Sequence, residues 1–148
     1  MGKFLPRRFL GLPLHPMLVH FPLAFWLSVP VFDALALSLS LWPWWGLALG
    51  ATAVGVIFGA FALITGLLDY IELSETDSND VRLAARHGVR TSVVWTVMTM
   101  KLMVAGLTET QPLLVAGSLV IDVLVSALLL QGAFFGTKIT YGHYRDKP

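Results

Sequence analysis

The sequence predicts an all-α integral membrane protein, a four-helix bundle with both termini in the cytoplasm, and three observations carry that prediction. Hydrophobic residues make up 56% of the 148 residues and charged residues only 13%, about half the charged share of an ordinary soluble domain. A water-soluble chain this short leaves too large a fraction of its surface exposed to hide so much apolar side chain, and the mean hydropathy of +0.75 agrees. The second observation is four apolar segments, each near or above the roughly 20 residues that a helix needs to cross about 30 Å of hydrocarbon. The third is that the basic residues gather at alternate ends of these segments.

The spans run from about 17 to 41, 44 to 68, 89 to 107 and 113 to 136, within a single transmembrane domain over 1–148. Backbone polar groups in lipid must be satisfied internally, and the segments lack the alternation of a barrel strand, so each reads as a helix. The first connection is short, at Trp42-Pro43, and so is the third, Thr108 to Pro112. Between the second and third spans a cytoplasmic loop is expected over about 69–88, with the solvated run Ser74-Glu75-Thr76-Asp77-Ser78-Asn79-Asp80 at its centre.

Orientation follows from the positive-inside rule. Lys3, Arg7 and Arg8 precede the first span, Arg82, Arg86 and Arg90 lie in or beside the central loop, and Lys138, Arg145 and Lys147 follow the fourth. The opposite connections hold no Lys or Arg, and Trp42, Trp44 and Trp45 cluster there, where indoles favour the headgroup level. Arg7-Arg8-Phe9-Leu10 resembles a twin-arginine signal, but the prolines and Asp33 in the following stretch favour a retained helix.

Ionisable residues at membrane depth cost from about 2.5 kcal/mol upward and are functional candidates by default. Asp33, Lys101 and Asp122 lie in the first, third and fourth spans, and Lys101 is able to pair with either aspartate. A structural ion pair that fixes packing is the plainer reading, a proton or ion path the sharper one. Ser118, Asp122 and Ser126 recur every four residues and form one inward stripe. On the second span Gly55, Gly59, Ala62, Gly66 and Asp69 fall within about 80° of one another. That face suits close helix packing, including a homodimer, or else a flat slot for a planar cofactor.

Four histidines, His15, His20, His87 and His143, all lie on the cytoplasmic side of this topology. The first and third helices run the same way, so His20 and His87 are expected at matched depth, able to clamp one metal between them. His87 shares a face with Val94, Met98, Lys101 and Ala105, within about 60°. His15 and His20 are about 140° apart on a regular helix, so one of them joins His87, and the deeper His20 is the expected partner. Haem iron suits two imidazoles between bundle helices, with Arg82, Arg86 and Arg90 at the level of the propionates. Zinc is less suited, since a structural site needs four ligands. Helix capping, or hydrogen bonding to carboxylates such as Asp69, is the plainer alternative.

Leu14-His15-Pro16-Met17-Leu18-Val19-His20-Phe21-Pro22-Leu23-Ala24, then Asp33, then Thr65-Gly66-Leu67-Leu68-Asp69-Tyr70 and Arg86-His87, resemble the bacterial membrane family called domain of unknown function 2231. The resemblance covers about Gly11 to Tyr141. It implies a four-span inner-membrane protein with a place in membrane redox chemistry, and His15, His20, Asp33, Asp69 and His87 carry over. The expected function is therefore a b-type haem electron-transfer module working with a quinone or a redox protein. The alternative is a haem-free membrane module or small proton- or ion-coupled transporter. With no cysteine, thiolate metal sites and c-type haem attachment are excluded. A net charge of +1 argues against nucleic acid, and no phosphate-binding glycine loop or nucleophilic triad appears, leaving enzymatic activity open.

Overall fold

The computed structural model describes residues 8–9, 12–75 and 79–145, with side chains over 13–75 and 79–139. Lys3, Arg7, Lys147 and loop residues 76–78 lie outside the described residues, as do the side chains of Arg8, His143 and Arg145. Four helices make up the fold: α1 Leu14–Ser38, α2 Leu41–Ser74, α3 Asn79–Leu107 and α4 Pro112–Arg145. Ahead of α1 two short strands, β1 Arg8–Phe9 and β2 Leu12–Pro13, pair antiparallel with Arg8 opposite Pro13.

Three of the helices, α1, α2 and α4, are long and apolar enough to cross a bilayer. With 29 residues α3 has the length, but Arg82, Arg86, Arg90 and Lys101 lower its apolarity. Each helix packs on its sequence neighbours and α1 closes the ring against α4, so α1 faces α3 across the bundle axis. The starts of α1 and α3 share one end with the finishes of α2 and α4, as His15 beside Ala62 and His87 beside Gly132 require.

Helix boundaries depart from the expected spans mainly at that end. The expected loop over 69–88 is mostly helix, because α2 continues through Ser74 and α3 begins at Asn79. Helix-forming residues keep the period there, and Leu73 is buried, so hydropathy ends the membrane span before packing ends the helix. α1 begins at Leu14, two residues before Pro16. The missing Pro16 N–H therefore falls among the first-turn donors that no helix satisfies. At the other end Trp42 is extended (φ −109°, ψ 139°), as a residue before proline prefers, so the regular part of α2 starts at Pro43.

Burial is that of a lipid-solvated bundle. Trp26, Val29, Trp45, Ala48, Val94, Met98 and Val115 fill the core, whereas Ile57, Phe61, Ile64 and Leu67 leave one side of α2 apolar and exposed. The small-residue face of α2 is neither a free dimer surface nor an open slot. The Trp26 ring covers Gly55 and Gly59, the Trp95 ring covers Gly59, and the His15 ring covers Gly66. Both indoles donate to backbone carbonyls that this helix exposes, Trp26 Nε1 to Thr52 O at 3.4 Å and Trp95 Nε1 to Val56 O at 3.0 Å.

Candidate functional site

Polar side chains meet inside the bundle in two layers, one near each end. At the end where α1 and α3 begin, the His15 and His87 rings lie 5.9 Å apart between centroids, with planes at 83°. His15 Nδ1 donates to Ala62 O on α2 at 2.8 Å, and its ring rests on Gly66. His87 Nδ1 donates to Gly132 O on α4 at 2.8 Å, and its ring rests on Gly136. The two arrangements repeat one another: a carbonyl holds the ring nitrogen, and a glycine four residues later makes room for the ring.

A carbonyl can only accept, so in each neutral imidazole the proton sits on Nδ1 and the lone pair on Nε2. His20 does not join them. It is exposed, and its Nδ1 turns back to Pro16 O on its own helix at 2.6 Å. The expected His20–His87 pair is thus corrected to His15–His87. His15 is five residues nearer the helix start, and the 140° between the two positions puts only one of them on the face towards α3. No three His, Asp or Glu side chains come together as metal ligands among the described residues.

The arginines divide. Arg90 donates from Nη1 to Arg86 O at 3.0 Å and lies 4.7 Å from the Phe135 ring centroid, next to Gly136, while its Nε is buried without a partner. Arg86 reaches the same ring at 6.0 Å. Arg82 bonds Asn79 Oδ1 at 3.2 Å, is exposed, and stands further towards the helix start. Asp69 lies within electrostatic reach of His15, and Thr65 Oγ1 is 3.5 Å from its Nδ1.

The glycine seats predict a graded response. A Cβ on Gly66 would stand 2.7 Å from His15 Cε1, and one on Gly136 3.2 Å from His87 Nδ1, while one on Gly88 meets nothing within 4 Å. Gly66→Ala should therefore cost about 1–3 kcal/mol and Gly136→Ala less, with Gly88→Ala harmless. Thermal unfolding in detergent ranks the three, and a neutral Gly66→Ala would contradict the seating of His15.

In the second layer Lys101 Nζ contacts Asp33 Oδ2 at 2.9 Å and Asp122 Oδ2 at 2.6 Å. Ser118 Oγ donates to the same Asp122 oxygen at 3.1 Å. Lys101 pairs with both aspartates rather than one, so α1, α3 and α4 are tied together at this level. Trp45 supplies the fourth side, with its ring centroid 5.0 Å from Nζ. Its role as core was missed because the three neighbouring tryptophans read as a headgroup belt. The signal was its register, since Trp45, Thr52, Gly59 and Gly66 follow one another every seven residues along the buried face.

No match was found among curated proteins or among solved structures. A family model does match, over residues 11–145, and its description is "Predicted membrane protein (DUF2231)". Both polar layers fall within that match, and the chain belongs to this family of membrane proteins.

Proposed function

We propose that this membrane protein holds one b-type haem between His15 and His87 and passes electrons between a membrane donor such as a quinol and a redox partner. The observation that carries the reading is the pair of imidazoles whose Nδ1 atoms are both tied to main-chain carbonyls. That leaves two Nε2 lone pairs on rings 5.9 Å apart. His15 and His87 would hold the group, each through the ring nitrogen that its main-chain carbonyl leaves free. Haem iron needs only two protein ligands, because the porphyrin fills its other positions. When bound, haem supplies a one-electron couple. The chain's part is to fix the ligand tautomers through Ala62 O and Gly132 O and to offer Arg90 Nε and Arg86 to anionic groups.

All four helices cross the inner membrane in this reading, α3 included. Its outward residues Val89, Val93, Met100, Met103 and Leu107 are apolar and exposed, while His87 and Lys101 turn inward. In this reading the imidazole end and both termini face the cytoplasm, a side favoured by the basic residues gathered there. A haem-free, ion-coupled module is favoured instead by the buried Asp33–Lys101–Asp122 layer, and it predicts a colourless protein.

Purification in detergent after expression with supplied haem decides between them. Oxidised and reduced spectra should show a Soret band, lost in His15→Ala and in His87→Ala and kept in His20→Ala. Absence of the band, or a band unchanged in both variants, defeats the proposal.

A further inference from the structure

Two carboxyl groups and a single ammonium share the second layer, both carboxyls buried and Lys101 partly so: side-chain exposure is 0% for Asp33, 1% for Asp122 and 8% for Lys101. If both aspartates were ionised the layer would carry an unbalanced negative charge inside the bundle, which is costly at this depth. Hydrogen bonding is equally unbalanced. Lys101 and Ser118 serve only the Oδ2 atoms, whereas Asp33 Oδ1 and Asp122 Oδ1 are buried without any donor. Both Oδ2 atoms contact the one ammonium, Asp33 at 2.9 Å and Asp122 at 2.6 Å, so the two carboxyl groups lie side by side around Lys101 Nζ. α2 contributes Trp45 and no ionisable group here, and the Trp45 indole nitrogen is also buried without a partner.

We infer that the layer is a proton-binding site, in which Asp33 and Asp122 hold one proton between them and Lys101 stays charged. One proton makes the layer neutral and turns one carboxyl into a donor for the other. It also leaves a single carboxylate to balance the ammonium, which no other assignment with an ionised lysine achieves. Asp33 stands five residues from the end of α1 at Ser38, and Lys101 six from the end of α3 at Leu107. The site therefore lies nearer the α1–α2 and α3–α4 turns than the imidazole pair, and it operates whether or not a ligand occupies that pair.

Infrared spectra of the full chain in bilayers, in H2O and in D2O at neutral pH, test this directly. The unsubstituted protein should show the C=O stretch of one carboxylic acid per chain, shifted on deuteration. Asp33→Asn and Asp122→Asn should each abolish the band, because the amide replaces the protonated acid and leaves the other aspartate ionised against Lys101. His15→Ala and His87→Ala should leave it unchanged. A natural-sequence spectrum without the band overturns the inference by itself, and so does a band that survives either aspartate substitution.

Discussion

Lys101→Met should destabilise the protein by about 3–5 kcal/mol, the range seen when one partner of a buried ion pair is removed and the other stays. Its ammonium is the shared donor for Asp33 and Asp122 at 2.9 and 2.6 Å. Removing it takes the donor from buried Asp33 Oδ2 and leaves Asp122 Oδ2 with Ser118 alone. Since native stability is typically only about 5–15 kcal/mol, most of the folded population is at risk. Combining Lys101→Met with Asp33→Asn and Asp122→Asn should recover much of the loss, because the amides can bond to each other and no charge stays behind. Denaturant titration in detergent would measure both. A single variant within about 1 kcal/mol of the natural protein would show the contact to be no stronger than a solvent-exposed pair.

Gly59→Leu should be strongly damaging, because two indoles crowd the site, at the upper end of, or beyond, the roughly 1–3 kcal/mol of an overpacked site. A Cβ alone would stand 2.8 Å from Trp26 Cη2 and 2.9 Å from Trp95 Cδ1. Neither indole can swing away without releasing its hydrogen bond to Thr52 O or Val56 O. Gly50 faces open space within 4 Å, so Gly50→Leu should be neutral or stabilising by the helix propensity gained, up to about 1 kcal/mol. Comparing the two by thermal unfolding separates a packing effect from a general intolerance of leucine on this helix. Equal melting temperatures would mean that the indoles do not rest on Gly59.

Where the environment is lipid, apolar length and charge placement speak plainly, and the bundle was legible for that reason. Asp33, Lys101, Asp122 and the Ser118 stripe stood out because a polar residue in an apolar helix has to turn inward. The finer pairing was less legible. His15 and His20 differ by five residues and 140°, and only the tertiary position of α3 decides which of them meets His87. The glycines of α2 announced a close approach without saying what approaches, and the answer lies on other helices, in Trp26, Trp95 and His15. The expected loop over 69–88 went wrong because hydropathy marks where lipid ends, whereas helix continuation depends on local residues and on packing such as that of Leu73.

The repeated seating of the two imidazoles has a mechanical consequence. His15 is fastened to α2 and His87 to α4, so each ring travels with its own helical hairpin, α1–α2 or α3–α4. The gap between the rings works as a caliper whose jaws are the hairpins. Any slide or tilt of one hairpin against the other would widen or narrow the gap with each side chain still on its own carbonyl.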